Sequence, residues 1–123
     1  MARVLIVDDE RLIQQLLSRV LESEGHTATL AGSVPEARGH LEANEFDLVV
    51  CDVDMPGESG FDLVRSMRSH GRDTPIVMMS GIGDPRLAAA AVDFGIAGYM
   101  IKPFPLDEAR TKVAEALRRR SGG

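Results

Sequence analysis

Residues 47–57 of this 123-residue chain read DLVVCDVDMPG, an apolar run that ends in an aspartate and passes into a turn. The run Asp47–Asp52 is apolar on both of its faces, which is typical of a strand covered on both sides of a sheet. Four other short runs have the same character, namely Arg3–Val7, Ala28–Ala31, Pro75–Ser80 and Gly98–Lys102. The sequence therefore predicts five buried strands, the third of which ends at Asp52.

Helical patterns separate these runs. Apolar residues from Leu12 to Leu21 recur at helical spacing, and Gly25 ends that helix. Ser33, with Glu36 three residues later, is a capping box that begins the second helix. The third helix is predicted to end near Gly71, and its apolar positions are Leu63, Val64 and Met67. The fourth is predicted to end at Gly95, and its apolar positions are Leu87, Ala90, Ala91 and Phe94. The fifth is predicted from about Pro105 to Arg120, and its inward-facing positions are Leu106, Ala109, Val113, Ala116 and Leu117.

Strands that alternate with helices of this length form parallel βαβ units with right-handed crossovers. Five strands and five helices fit an open, doubly wound parallel sheet, which belongs to the α/β class. The chain shows no internal repeat and no internal linker, so we expect residues 1–123 to form one domain. Within it, residues 120–123 are expected to be a tail or the remnant of a linker.

Composition and charge exclude several functional classes. The net charge of −5 disfavours nucleic acid or an anionic membrane as the main partner, because both demand a basic surface. No apolar run approaches the roughly 20 residues needed to span a bilayer. A single cysteine cannot form an internal disulfide. We therefore expect a cytoplasmic location.

Polar side chains stand at or just after the ends of four predicted strands. They are Asp8 and Asp9 after the first strand, Asp52 at the third, Ser80 at the fourth and Lys102 at the fifth. Open parallel sheets bind ligands beyond the carboxyl ends of their strands. We therefore expect three carboxylates, one hydroxyl and one ammonium group to converge at one edge of the sheet.

Carboxylates held together in this way repel one another. Two unit charges roughly 5 Å apart, at an effective dielectric constant near 20, repel by roughly 3 kcal/mol. A hard divalent cation such as Mg²⁺ would offset this repulsion, because it prefers oxygen ligands and commonly bridges carboxylates to a phosphate. Lys102 and Ser80 would then contact phosphoryl oxygens, and Asp52 could act as the nucleophile of aspartyl-phosphate chemistry.

Four short motifs in this order resemble a known family. They are VLIVDDE at 4–10, DVDMPG at 52–57 with Gly60 beyond, Ser80-Gly81, and Lys102-Pro103-Phe104. Over essentially the whole chain they are similar to the receiver domains of bacterial two-component response regulators. The resemblance implies a flavodoxin-like three-layer sandwich whose five strands have the order 2-1-3-4-5.

Carried over to the matching positions, the resemblance implies a role for each residue of the site. Asp52 would accept a phosphoryl group from the phosphohistidine of a histidine kinase or from a phosphotransfer protein. Asp9 would bind Mg²⁺ directly and Asp8 through water, with Asp52 and the backbone carbonyl of Asp54 as further ligands. Lys102 would pair with Asp52 and afterwards with the phosphoryl group.

The resemblance also implies a switch and an output. Ser80 matches the hydroxyl, and Tyr99 the aromatic residue, that respond to phosphorylation, and the Lys102–Pro103 peptide is expected to be cis. Residues 95–98 lack the acidic pair typical of DNA-binding regulators, which weakens an inference of their dimer mode. The output would be an unknown protein or a covalently linked domain, so we expect a single-domain regulator or a piece of a longer protein.

Three alternatives remain open. The Asp52-Val53-Asp54 motif also resembles haloacid-dehalogenase-type phosphatases, although those place it at the first strand. A flavodoxin would share the topology, but Asp8 and its acidic neighbours would repel the flavin phosphate. A pseudo-receiver would keep the fold as a protein-binding module without phosphorylation, which the complete set of site residues disfavours. We expect no enzymatic activity beyond phosphoryl transfer to the domain itself and autodephosphorylation.

Some reactive side chains are not expected to take part in the site. Cys51 adjoins Asp52, but alternation along a strand points its side chain into one face of the sheet, so we expect a buried, inert thiol. The three histidines, His26, His40 and His70, lie in unrelated segments without metal-ligand spacing.

Overall fold

The computed structural model describes residues 1–81 and 83–122, without the side chains of residues 120–122. The five strands are β1 (Arg3–Val7), β2 (Thr27–Ala31), β3 (Leu48–Asp52), β4 (Ile76–Ser80) and β5 (Gly98–Ile101). The five helices are α1 (Arg11–Ser23), α2 (Val34–Ala43), α3 (Gly60–Ser69), α4 (Arg86–Asp93) and α5 (Leu106–Gly122). The predicted tail over residues 120–123 falls at the end of α5, where these side chains and Gly123 lie outside the described residues.

All five strands are parallel and form one sheet in the order β2-β1-β3-β4-β5. This confirms the α/β prediction and the strand order that the resemblance implied. The order reverses between β1 and β3, which is the point at which doubly wound sheets bind ligands. The predicted strand limits are right to within one residue. One of these differences affects a site residue, because β5 ends at Ile101 and Lys102 follows it.

The sheet lies between two layers of helices. Side chains alternate between its faces, so along β3 Val49 and Cys51 belong to one apolar cluster, and Leu48 and Val50 to the other. The first cluster packs against α2, α3 and α4, while the second packs against α1 and α5. This is the three-layer sandwich that was predicted, with β3 buried along its whole length.

A few apolar residues that were placed inward by helical spacing are exposed instead. Leu12 and Leu106 are 65% and 42% exposed, and Ala91 is exposed on α4. Leu12 and Leu106 stand in the first turns of α1 and α5. Phe94 was placed within the fourth helix but is its C-cap residue, because α4 ends at Asp93.

Among the helices of the described residues, none combines the length and the apolar character needed to cross a membrane.

The start of α3 lies against the end of β3, and Gly60 permits this approach. Its backbone N–H donates to the carbonyl oxygen of Val53 (3.1 Å). A Cβ atom at Gly60 would overlap the carbonyl oxygen of Asp52 and would lie 2.9 Å from the sulfur of Cys51. The missing side chain therefore determines how closely the helix approaches the end of the strand that carries Asp52.

We expect Gly60→Ala to lower the free energy of unfolding by about 1–3 kcal/mol, the usual cost of forcing extra volume into a packed site. Chemical denaturation monitored by circular dichroism measures this change. Gly39→Ala is the matched control, because Gly39 lies exposed on α2 with open space around its Cα. There the same substitution should raise stability by up to about 1 kcal/mol through helix propensity. Equal stability of Gly60→Ala and the natural chain would contradict the close approach.

Candidate functional site

Asp52 ends the central strand β3 and is almost fully buried, with 2% of its surface exposed. Its Oδ1 atom accepts a hydrogen bond from the backbone N–H of Asp54 (3.0 Å), and its Oδ2 atom accepts one from Nζ of Lys102 (3.1 Å). Burial raises the pKa of Asp52 to about 6, against the lowering effect of the hydrogen bonds from Asp54 and Lys102. Both carboxylate oxygens are therefore oriented, and the group is ionised at neutral pH.

Lys102 is the centre of the charged cluster. Its ammonium group lies 2.9 Å from Asp8, 3.1 Å from Asp52 and 3.2 Å from Glu10. Burial alone would lower the pKa of Lys102, but the hydrogen bonds to Asp8 and Asp52 outweigh it and raise the pKa above its ordinary value. The ammonium group therefore stays charged throughout the physiological range.

Asp8 is the most deeply buried acid of the cluster. It follows β1, and its backbone N–H donates to the carbonyl oxygen of Ala31 (3.0 Å) at the end of β2. Its Oδ1 atom accepts from the N–H of Glu10 (2.8 Å), which turns the chain into α1. Burial raises the pKa of Asp8, while Glu10 and Lys102 donate hydrogen bonds that lower it.

The convergence of acids was predicted, but its third member differs from the prediction. Asp8, Glu10 and Asp52 each offer a carboxylate oxygen within 4.8 Å of the others. Asp9, the predicted direct metal ligand, is exposed and lies outside this group. The turn that Asp8 closes by accepting from the N–H of Glu10 (2.8 Å) brings the Glu10 carboxylate to 3.2 Å from Lys102. Glu10 could have been considered a candidate because it is the third acid of the run Asp8-Asp9-Glu10.

This group of atoms suits a hard divalent cation. Three carboxylates carry three negative charges, Lys102 contributes one positive charge, and the remaining excess is two negative charges. Every candidate ligand is an oxygen, which Mg²⁺ prefers, and the group stands at the carboxyl ends of β1 and β3. The residues present therefore fit the magnesium site that the sequence predicted.

Ser80 ends β4 and is buried, and its hydroxyl group is hydrogen-bonded to carboxylates other than that of Asp52. Its Oγ atom lies 2.9 Å from Oδ2 of Asp84 and 3.1 Å from Oδ2 of Asp54, and the hydroxyl proton can be donated to either. Asp84 is in turn paired with Arg86 (2.8 Å). Asp84 and Arg86 were not identified from the sequence, because nothing in the local pattern connects a loop aspartate to the serine of a strand end.

Tyr99 and the cis peptide complete the predicted positions. Tyr99 stands on the edge strand β5, opposite Met78 of β4, and is 41% exposed. The Lys102–Pro103 peptide is cis, as predicted, and the N–H of Lys102 donates to the carbonyl oxygen of Ser80 (2.7 Å). Cys51 is fully buried, and burial raises the pKa of its thiol, which confirms the prediction of a buried side chain.

Comparison with known proteins agrees with this fold. Residues 4–114 match the family model of the response regulator receiver domain. The chain is 36% identical over 119 residues to the response regulator MprA of Mycobacterium sp. (strain KMS), covering 97% of this chain and 52% of that protein. It is 32% identical over 120 residues to the two-component response regulator PhoP of Pseudomonas aeruginosa, covering 98% of this chain and 53% of that protein.

A solved structure shares the same architecture. The response regulator protein TrrA from Thermotoga maritima, in complex with Mg²⁺–BeF, superposes with a TM-score of 0.81 at 30% identity, covering 94% of this chain and 99% of that chain. The chain therefore belongs to the response regulator receiver domain family of two-component systems. It spans about half the length of the curated relatives it matches.

Proposed function

We propose that this receiver domain is a phosphorylation-dependent signalling switch in which Asp52 accepts the phosphoryl group. The observation that carries the proposal is the environment of Asp52. Asp52 is a buried carboxylate at the carboxyl end of the central strand. It accepts a hydrogen bond from Lys102 (3.1 Å), and its carboxylate adjoins those of Asp8 and Glu10. A nucleophile beside an ammonium group and a set of oxygen ligands is the arrangement that phosphoryl transfer to a carboxylate requires.

The donor would be the phosphohistidine of a histidine kinase or of a phosphotransfer protein. A carboxylate oxygen of Asp52 forms a bond to phosphorus, the N–P bond of phosphohistidine breaks, and the histidine nitrogen keeps the electron pair. Lys102 exchanges its hydrogen bond with the Asp52 carboxylate for one with a phosphoryl oxygen. Hydrolysis of the resulting acyl phosphate returns Asp52 to a free carboxylate and resets the switch. The only reactions of the domain would therefore be its own phosphorylation and dephosphorylation.

Mg²⁺ would be held at the same edge of the sheet. The ligands would be Asp8, Asp52 and the backbone carbonyl of Asp54, with Asp9 assigned by the family resemblance and Glu10 by its position in the acidic cluster. When bound, the ion neutralises carboxylate charge and the charge that develops on the phosphoryl oxygens. Lys102 supplies a further positive charge to the same cluster, 3.1 Å from Asp52 and 2.9 Å from Asp8.

Ser80 and Tyr99 would transmit the change to the surface. A phosphoryl group on Asp52 adds strong acceptor oxygens, and the Ser80 hydroxyl would turn from its present acceptors to one of them. Gly81 and Gly83 lower the cost of moving the following loop, in which residue 82 lies outside the described residues. The ring of Tyr99 would then turn inward and alter the face formed by α4, β5 and α5.

The partners follow from this chemistry. The input would be a histidine kinase or phosphotransfer protein, which would place the domain in the cytoplasm. The output would be a separate protein or a linked domain, since the curated relatives are about twice as long as this chain. The net charge of −5 gives no basis for direct nucleic acid binding by the domain itself.

Acetyl phosphate with Mg²⁺ should add one phosphoryl group to the natural chain, and Asp52→Asn should abolish the addition. Intact-mass spectrometry measures the change. Asp54→Asn is the matched control, because this neighbouring residue would contribute through its backbone carbonyl and should still be labelled. Equal labelling of Asp52→Asn would refute the assignment, while failure of the natural chain to be labelled would favour the pseudo-receiver alternative.

A further inference from the structure

Ser80 is held on the side of Asp52 that faces the start of α4. The Oγ atom has carboxylate acceptors on Asp84 (2.9 Å) and Asp54 (3.1 Å). The oxygens of Asp52 are bonded elsewhere, to the N–H of Asp54 and to Lys102. A serine hydroxyl has only one proton to donate, so any bond it makes to a phosphoryl oxygen replaces its bond to these carboxylates.

Asp84 cannot readily follow the hydroxyl, because Arg86 fixes it in place. Its Oδ1 atom accepts from the backbone N–H (3.0 Å) and from Nε (2.9 Å) of Arg86, and its Oδ2 atom accepts from Nη2 (2.8 Å). This two-pronged guanidinium–carboxylate geometry is among the strongest that side chains form. Arg86 holds the pKa of Asp84 well below its ordinary range, so the carboxylate remains a charged acceptor.

Arg86 is itself anchored to the neighbouring elements. Its guanidinium group lies over the ring of Phe61 on α3, with 5.0 Å between Cζ and the ring centroid. Its Nη2 atom is also 3.5 Å from Oδ1 of Asp54, on the loop after β3. Arg86 therefore joins the start of α4 to the loop and helix that follow the phosphoacceptor strand, with Ser80 enclosed between them.

We propose that Asp84, fixed by Arg86, is a positioning residue that holds the Ser80 hydroxyl in the resting direction and so sets how readily the switch responds at Asp52. The inference rests on the proposed function of Asp52 and Ser80. A hydrogen bond from a hydroxyl to a charged carboxylate must be given up when Ser80 turns, and its strength opposes the phosphorylated conformation. Weakening this bond shifts the population toward that conformation before any ligand binds.

Beryllofluoride, formed from beryllium and fluoride salts, is the probe that tests this role in the presence of saturating Mg²⁺. We expect Asp84→Ala to bind beryllofluoride more tightly than the natural chain, by up to about tenfold, because the Ser80 hydroxyl loses its acceptor on Asp84 and keeps only the one on Asp54 at 3.1 Å. Amide NMR titration measures the dissociation constant. Asp93→Ala removes the same charge from an exposed position of α4 and should bind as the natural chain does.

A double-mutant cycle separates positioning from simple charge removal. In the Ser80→Ala background, Asp84→Ala should leave beryllofluoride affinity unchanged, because no hydroxyl remains to be held. An equal gain in both backgrounds, or the same gain in Asp93→Ala, would overturn the inference in favour of general electrostatics. Asp84→Asn keeps an acceptor for the N–H of Arg86 and should show a smaller gain in beryllofluoride affinity. This variant replaces Asp84→Ala in the test if Asp84→Ala does not fold.

The two proposals can fail separately. If the natural chain does not bind beryllofluoride with Mg²⁺, the proposed phosphoacceptor function fails. If the natural chain binds it and Asp84→Ala binds it no more tightly, only the positioning role of Asp84 is lost.

Discussion

The Lys102→Met variant should lose about 3–5 kcal/mol of the free energy of unfolding near pH 7 in metal-free buffer, the usual cost of removing one partner of a buried charge pair. Lys102 is the cation that lies within 3.2 Å of Asp8, Glu10 and Asp52. Without it, two buried carboxylates and a third nearby would repel one another in a medium less polar than water. Chemical denaturation of both proteins measures the loss.

The loss should depend on pH and on metal. The pKa of Lys102 is raised in the folded protein, so its contribution is fully present below its unfolded pKa near 10 and is constant through the acidic range. Asp52 and Asp8 then set the pH dependence: burial raises the pKa of both, that of Asp52 to about 6, so as the pH falls through this range they become protonated and the deficit of Lys102→Met should shrink. Millimolar Mg²⁺ should also restore stability, because it binds the folded state.

Lys112→Met provides the matched control, since Lys112 is the other lysine of the chain and lies on α5 away from the acidic cluster. It removes the same charge and should change stability by no more than about 1 kcal/mol. A Lys102→Met variant as stable as this control in metal-free buffer would contradict the arrangement of acids around Lys102.

Asp52→Asn should have the opposite effect and stabilise the fold by about 1–3 kcal/mol near pH 7 without metal. Burial raises the pKa of Asp52 from 3.8 to about 6. Ionisation of this group is therefore less favourable in the folded state than in the unfolded state. The asparagine can still accept the hydrogen bond from the N–H of Asp54, while Asp8 and Glu10 continue to balance Lys102. The trade of stability for function at such a site is common.

The sign of the pH dependence follows from the raised pKa of Asp52. Below about pH 4 the carboxyl is protonated in both states and carries no penalty. Between the unfolded value of 3.8 and the folded value of about 6 the unfolded state ionises first, so stability falls as pH rises. Asp52→Asn should remove that part of the pH dependence, and its advantage should disappear near pH 4.

Asp93→Asn is the control for charge alone, because Asp93 is exposed at the end of α4. Its stability should track that of the natural chain across the same pH range. Mg²⁺ should narrow the gap between Asp52→Asn and the natural chain, since the natural carboxylate contributes to holding the ion. If Asp52→Asn were less stable than the natural chain at pH 7 without metal, the burial of an ionised Asp52 would not be costly as argued.

The repeating pattern of apolar runs and helical stretches determined the class of fold. Alternating strands and helices require parallel crossovers, and parallel crossovers bring strand ends to one edge. For that reason Asp8, Asp52, Ser80 and Lys102 could be predicted to converge although they are far apart in the chain. Composition also determined the net charge of −5, which is independent of conformation.

Only the tertiary structure decided which side chains touch within that edge. The sequence placed Asp9 in the acidic cluster, whereas the turn from β1 into α1, closed by the hydrogen bond from the N–H of Glu10 to Asp8, directs Glu10 there. It placed Ser80 at this edge as the hydroxyl that moves on phosphorylation, but it did not identify Asp84, held by Arg86, as the acceptor of that hydroxyl in the structure. The periodicity of a helix or strand indicates which of its side chains face the core. The direction of a loop side chain depends instead on turn geometry and on partners brought from other loops.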